Sequence, residues 1–163
     1  MSGWLAAPHV ARWWRDPADA ESIEREFGPI VDGLDPTEAF VLQVGPLAVG
    51  LFQRYRHLDH PDWASAVGVE DAIGIDYLIG LPEHIGRGLG AVAIASFAAA
   101  TLAAHPEVGC VCAVPQQGNI ASWRALEKAG FQRLLALDRI ESDHPADDGP
   151  AFVYIIARAS QLP

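Results

Sequence analysis

Residues 74–90 of this 163-residue chain constrain it most. Gly74-Ile75-Asp76-Tyr77-Leu78-Ile79-Gly80 is an apolar run of strand character, and Ile85-Gly86-Arg87-Gly88-Leu89-Gly90 is a glycine-rich turn in front of a long alanine-rich stretch. The order strand, turn, helix makes an anion site. The first backbone N–H groups of a helix have no partner within it, and the macrodipole puts partial positive charge there. Glycines let the backbone approach a phosphate with no Cβ in the way, and Arg87 adds a side-chain charge. The turn is therefore expected to hold the pyrophosphate of a cofactor, and the strand before it to hold the chemistry.

The remaining elements follow from patterning and punctuation. A helix is expected over residues 5–14, broken by Asp16-Pro17. Asp19 is a plausible N-cap for a second helix over residues 20–27, with an irregular segment from Gly28-Pro29 to Pro36. Strands over 38–44 and 47–55 flank Gly45-Pro46 as an antiparallel hairpin. Residues 57–71, rich in His, Asp, Pro and Trp, read as a loop of the kind that carries specificity. A strand over 72–79 precedes a long helix over 88–104, and the strand over 108–114 runs parallel to it because a helix separates the two. Asn119 caps a helix over 119–129 that Gly130 ends. Strands over 131–140 and 151–157 enclose an acidic loop over 141–150. This order predicts a single α/β domain over residues 1–163 with a mixed sheet.

Composition narrows the partners. Half the residues are apolar, enough for a sizeable core, and the formal charge is −10 without any lysine- or arginine-rich block. That argues against nucleic acid and suits a cationic small substrate. The longest apolar stretch, residues 89–104, falls short of the roughly 20 residues that span a bilayer, so no membrane role is expected. Cys110 and Cys112 alternate onto one face of a strand as small buried hydrophobes. With no disulfide framework and no basic-then-apolar leader, a cytoplasmic protein is expected. The His57–Asp62 segment, short and proline-containing, reads as a solvated or substrate-contacting loop, and no metal is expected.

A glycine-rich turn alone is a weak signal. The Gly-Lys-Ser/Thr of a P-loop is absent, and a dinucleotide fold would place Gly-x-Gly-x-x-Gly near its first strand. The loop Ile85 to Gly90, taken with Asn119-Ile120-Ala121-Ser122-Trp123-Arg124-Ala125-Leu126-Glu127-Lys128-Ala129-Gly130-Phe131, resembles the two motifs of the Gcn5-related N-acetyltransferase (GNAT) superfamily. Those are a Gln/Arg-x-x-Gly-x-Gly/Ala loop before a long helix, and an asparagine-led helix closing on Glu-Lys-x-Gly-Phe. Within it the chain is similar to the aminoglycoside 6'-N-acetyltransferases and the related siderophore lysine acyltransferases. His9-Val10-Ala11-Arg12-Trp13-Trp14, Gly74-Ile75-Asp76, the loop itself and Asp148-Gly149-Pro150-Ala151 carry that likeness. Val114 stands where the branch usually has Asp before proline, and Leu126 where it usually has Tyr. Ala64-Ser65-Ala66-Val67 replaces a glutamate-rich loop.

The resemblance implies a GNAT-like, mostly antiparallel central sheet flanked by helices, with a splayed parallel strand pair that binds acetyl-CoA as acyl donor. Because the chain begins inside the first helix, the resemblance leads one to expect that the family's usual first strand is absent, which would expose a sheet edge and be compatible with pairing as a homodimer. It implies that Ile85, Gly86, Arg87, Gly88, Leu89 and Gly90 bind the pyrophosphate, that Asn119 contacts the pantetheine, and that Leu78 and Ile79 lie where the strand splays, with a backbone N–H near Leu78 as oxyanion donor. No acid for the leaving thiolate is assigned.

Asp76 is the candidate base. It sits in an apolar strand where β-propensity disfavours Asp, and an alkylamine of pKa near 10 arrives protonated and needs a carboxylate to take its proton. A carboxylate satisfied at a bulge by backbone or arginine is the alternative. Glu70 and Asp71 are secondary candidates on the acceptor side. Trp14 and Trp63 offer aromatic faces to a cation, with core packing as the alternative for the tryptophan pair Trp13-Trp14, and Asp148 lies in a loop that would overhang the pocket. The expected function is transfer of an acetyl group from acetyl-CoA to a primary amine of a cationic small molecule, the 6'-amino group of an aminoglycoside first in line. A siderophore-type lysine acyltransferase and a non-catalytic acyl-CoA-binding module are the alternatives.

Overall fold

The computed structural model describes residues 1–140, 147 and 149–158. Six helices, α1 (Ser2–Leu5), α2 (Pro8–Trp14), α3 (Ala20–Val31), α4 (Pro61–Val67), α5 (Leu89–Ala104) and α6 (Ile120–Lys128), flank a sheet. Its strands are β1 (Glu38–Val44), β2 (Leu47–Arg56), β3 (Ala72–Ile79), β4 (Cys110–Ala113), β5 (Gln132–Leu137) and β6 (Ala151–Ala157). They lie in the order β1-β2-β3-β4-β6-β5, and only β3 and β4 run parallel. This is the mixed, mostly antiparallel sheet expected, with α5 as the crossover between the parallel strands. Among the described residues no helix is long and apolar enough to cross a membrane.

Strand alternation sorts the core into two faces. Phe52, Ile75 and Val111 meet Ile94 and Ala98 of α5 and Leu126 of α6 on one face. Leu51 and Leu78 meet Leu5, Val10 and Phe27 of α1–α3 on the other. Ala72, Cys110, Cys112 and Val153 meet Val67 of α4. The two thiols are free and buried, as their spacing predicted. Each large side chain so buried contributes about 1.5–3 kcal/mol.

Three local expectations give way to packing. The helix expected over residues 5–14 is two helices: Ala7 is extended (φ −66°, ψ 129°), and Pro8, lacking an N–H, starts α2. The helix capped by Asp19, whose carboxylate accepts the Ser22 N–H, does not stop at residue 27 but runs through Pro29 to Val31. One proline so near the C-terminus removes a single helical bond, and Phe27 and Ile30 are held by the core on either side of it. The loop expected over 57–71 contains a 3-10 turn (His57–Asp59) and α4, which ends on Gly68 in the left-handed region (φ 70°). Ala64 and Val67, three apart, are the buried stripe that stabilises α4. Strands β4 and β5 are shorter than the expected 108–114 and 131–140.

His57 is fully buried. Its Nδ1–H donates to the Val69 carbonyl, and Nε2 has no hydrogen-bond partner among the described residues. Protonation would place an unpartnered donor and a charge in the core, so burial holds the imidazole below its ordinary value, with the nearby His60 adding in the same direction. A His with a depressed folded-state pKa contributes stability that is present above the unfolded value, 6.5, and lost as pH falls below it towards the folded value. The urea midpoint is expected to drop between pH 7 and pH 5. His57→Phe should flatten part of that drop, and an unchanged slope in the variant would refute the assignment.

Candidate active site

The parallel pair comes apart almost as soon as it forms. Strands β3 and β4 are paired at Ala72↔Cys110, Ile73↔Val111 and Gly74↔Cys112, after which β3 runs on to Ile79 against β2 alone. The cause lies in the chain after Ala113. The Pro115 carbonyl accepts the Phe152 N–H at 2.9 Å, and the Gln117 N–H donates to the Pro150 carbonyl at 2.8 Å. Gln116 bridges Ala151, and the Gln117 amide donates to the Leu137 and Ala151 carbonyls at 3.2 and 3.3 Å. The segment is thus drawn to the β6 side, and a gap opens between β3 and α6.

Backbone polarity in the gap follows from register. The Gly80 N–H donates to the Val49 carbonyl, and backbone groups alternate along an antiparallel strand. Those of Leu78 therefore face β2, while those of Tyr77 and Ile79 face the gap. An independent contact agrees: the Ile79 carbonyl accepts from His9 Nε2 at 2.8 Å. The His-x-x-x-Trp-Trp segment thus pins α2 to the far end of β3 through its histidine. The N–H of Leu78 itself thus faces β2, those of its neighbours Tyr77 and Ile79 face the gap, and the Leu78 side chain is core.

A cleft of about 480 Å³ passes through this gap. Asp76 and Tyr77 both line it, although adjacent strand residues point to opposite faces, so the cleft opens on both sides of the sheet. On the α1–α4 side its walls include Trp13, Trp14, Gln53, Tyr55, His60 and Trp63. On the α6 side they include Asn119 and Ser122. Carboxylates come from Asp16, Glu26, Asp35, Asp76 and Asp147, and among the described residues no lysine or arginine lines the cleft. Asp35 is held below the usual carboxylate range, first by hydrogen bonding from the Thr37 side chain, with the Thr37 N–H, which donates at 2.8 Å, adding in the same direction. Asp76 is exposed in the cleft. Burial pushes the Tyr55 phenol well above its ordinary value and the Asp76 charge adds to it.

At the end of β3, the turn expected to bind an anion leads into α5. Gly86 (φ 72°) and Gly88 (φ 82°) are left-handed, with no atom within 4 Å of where a Cβ would stand. Such φ values strain any residue with a Cβ. Gly88 caps α5 without a side-chain hydrogen bond, so the first helical N–H groups meet no competing acceptor of their own cap. Arg87 and Ile85 are exposed, and Leu89 and Gly90 are half-buried. The turn fits a phosphate-bearing ligand.

Residues 1–139 match the family model described as "Acetyltransferase (GNAT) domain". The chain belongs to the GNAT acetyltransferase family. It is 27% identical over 158 residues to the aminoglycoside N(6')-acetyltransferase type 1 of Klebsiella pneumoniae, covering 94% of this chain and 74% of that protein. The same figures hold for the protein of that name from Serratia marcescens. Among solved structures, aminoglycoside acetyltransferase AAC(6')-Ib with coenzyme A and kanamycin superposes with a TM-score of 0.78 at 26% identity, covering 96% of this chain and 87% of that one. The same enzyme bound to paromomycin and acetyl-CoA gives 0.79 at 25% identity, covering 96% and 85%.

Against this frame of a GNAT cleft, the structure brings together Asp76, Trp14, Trp63 and Asn119. Asn119 is the helix cap expected, accepting the Ser122 N–H at 3.3 Å. Glu70 and Asp71 do not line the cleft; Asp71 accepts the Gly109 N–H at 3.2 Å, at the opposite end of β3. The charge pattern of that segment is local, whereas the end of the strand that faces the gap is a matter of pairing. Asp148 lies outside the described residues. Trp13 lines the cleft along with Trp14, its ring against Gly118. Sequence reasoning missed Gln53 and Tyr55, which two-residue alternation in β2 would have placed on the face of Asp76. It also missed Asp16, Glu26 and Asp35, for which no local signal exists. Among the described residues no group of three or more His, Cys, Asp and Glu could hold a metal ion.

A Cβ on Gly74 would come within 2.4 Å of the Tyr55 ring, so the ring lies directly on this glycine, two residues before Asp76. Gly74→Ala forces the ring to move. Overpacking of this kind costs about 1–3 kcal/mol. A urea titration should show that loss, and Tyr55→Leu in the same chain should recover part of it; additive losses would refute the contact.

Proposed function

We infer that this acetyltransferase acts on a primary amine of a polycationic small molecule, an aminoglycoside 6'-amino group being the first candidate. The observation that carries the reading is the cleft: it crosses the sheet at the splayed strands, and carboxylates line it without any lysine or arginine among the described residues. Several fixed negative charges at the low-dielectric wall of one cleft attract a molecule with several ammonium groups, and Trp13, Trp14 and Trp63 add ring faces to it. The relatives bound to kanamycin and paromomycin support the same class.

In this reading the donor enters from the α5–α6 side. Backbone N–H groups of residues 86–90 and the Arg87 side chain hold the phosphates, and Asn119 meets the pantetheine. Bound acetyl-CoA supplies an activated acetyl thioester. The Tyr77 and Ile79 amides, turned into the gap, are placed to stabilise negative charge on the thioester oxygen. From the other face, Asp76 pairs with the substrate ammonium, takes its proton directly or through water, and leaves a neutral amine to attack. Trp14 and the carboxylates of Glu26 and Asp35 orient the rest of the cation. A cytoplasmic location follows from dependence on acetyl-CoA and agrees with two free buried thiols. A homodimer through the β1 edge stays part of the proposal.

The test is release of free CoA from acetyl-CoA mixed with a panel of aminoglycosides, polyamines and lysine derivatives. Turnover confined to aminoglycosides is expected. Turnover confined to lysine-like amines would favour the siderophore-type reading, and tight acetyl-CoA binding without release for any amine would favour a binding module. Asp76→Asn is expected to lower kcat/KM by about 10²–10⁴ while leaving acetyl-CoA affinity unchanged. Wild-type turnover in that variant would sink the base assignment.

A further inference from the structure

The gap between β3 and α6 carries a second pair of polar side chains, on the face opposite Asp76. Tyr77 packs its ring against Phe52, with centroids 5.6 Å apart, and reaches across to α6. Its hydroxyl lies 2.7 Å from Ser122 Oγ in the first turn of that helix. Both residues line the cleft. Tyr55 also lines it, but alternation puts that ring on the Asp76 face. One turn beyond Ser122 on α6, Leu126 is fully buried and has no polar atom. Thr37 lines the cleft too but is engaged with Asp35, whereas Tyr77 and Ser122 are hydroxyl residues on the α6 side of the gap.

Acyl transfer leaves an electron pair on sulfur, and that pair needs a proton. The same burial that disfavours a bare thiolate in the gap pushes the Tyr77 phenol above its ordinary value, outweighing the Ser122 hydrogen bond, so the phenol is kept in its protonated form. Ser122 sits on the first turn of a helix whose Asn119 cap fixes that turn. A Ser122 hydroxyl that donates to the Tyr77 oxygen leaves the phenol O–H directed into the gap.

We propose that Tyr77 protonates the departing CoA sulfur and that Ser122 is its positioning residue. The inference rests on the acetyl-transfer reading above. The amine nitrogen, whose first ammonium proton Asp76 has already passed to solvent, forms the C–N bond and gives a second proton to Asp76. The C–S bond breaks with its electron pair on sulfur, and the Tyr77 O–H proton passes to that sulfur. The phenolate regains a proton from solvent by way of the Ser122 hydroxyl, and Asp76 releases this second proton to solvent as it did the first, so two protons leave nitrogen, one is supplied to sulfur, and each turnover from the ammonium yields one proton net.

Tyr77→Phe keeps the ring and removes only the hydroxyl. It is expected to lower kcat by about 10²-fold with acetyl-CoA Kd and thermal midpoint near wild type. Ser122→Ala should give a smaller loss of the same kind. Fluorotyrosines placed at position 77 should change kcat monotonically with phenol pKa, which a packing role would not produce. The same variants are read in amine-independent transfer of the acetyl group to water, followed as CoA release. A loss in that assay supports Tyr77 whatever the acceptor proves to be, and failure of the whole amine panel beside it would sink only the acceptor reading. Wild-type rates for Tyr77→Phe in both assays would overturn the proposal.

Discussion

The structure depends on one break in hydrogen bonding: the parallel ladder between β3 and β4 stops after Gly74↔Cys112. A strand that continues without its neighbour leaves backbone groups facing empty space, which costs free energy unless something else meets them. Here the chain after Ala113 is pulled towards β6 by bonds through Pro115 and Gln117. On the β3 side, His9 takes the Ile79 carbonyl. What is left between is a slot through the sheet, with Asn119 and Ser122 of the α6 start on one side and carboxylates on the other. Donor and acceptor can reach one point from opposite faces without sharing an entrance.

The elements around the slot are arranged to keep it open. Strand β2 pairs with β3 from Ile73 to Ile79, so β3 does not collapse into the gap. Helix α6 is anchored from below by Tyr154, whose hydroxyl donates to Glu127 at 2.9 Å. It is held at its start by Trp123, whose indole N–H donates to the Gln117 carbonyl at 3.2 Å. Helix α2 is fixed by His9, which sets Trp13 and Trp14 at the mouth. The acidic lining is costly to assemble, because like charges repel, and a cationic ligand relieves that repulsion.

Much of the fold was legible from local rules. The strands over 38–44, 72–79 and 151–157 and the caps at Asp19 and Asn119 come from alternation and from short-range side-chain to backbone bonds, which neighbours in sequence settle. Asp76 stood out because a charged residue in an apolar strand demands a reason. Where local rules failed, distant packing outweighed them. Pro29 reads as a stop, but Phe27 and Ile30 hold the helix through it, and the His/Asp/Pro run after His57 reads as loop although Ala64 and Val67 dock a helix on the core. Glu70 and Asp71 carry the right charge at the wrong end of β3.

Residues in this chain specify their own backbone habits. Glycines at 86 and 88 permit a left-handed turn, Asn119 starts a helix, and Asp76 is held in a strand, all through interactions that span a few positions. Those habits were enough to single out the glycine-rich turn before α5 and the strand carboxylate Asp76 that lines the cleft. The acceptor side was not written in any one segment. Asp16, Glu26, Asp35, Asp76 and Asp147 come from five stretches of chain, and Tyr77 meets Ser122 across 45 residues. Such groups become neighbours only when the sheet order and the gap at β4 are set, because a contact between distant segments has no signature in the spacing of either one.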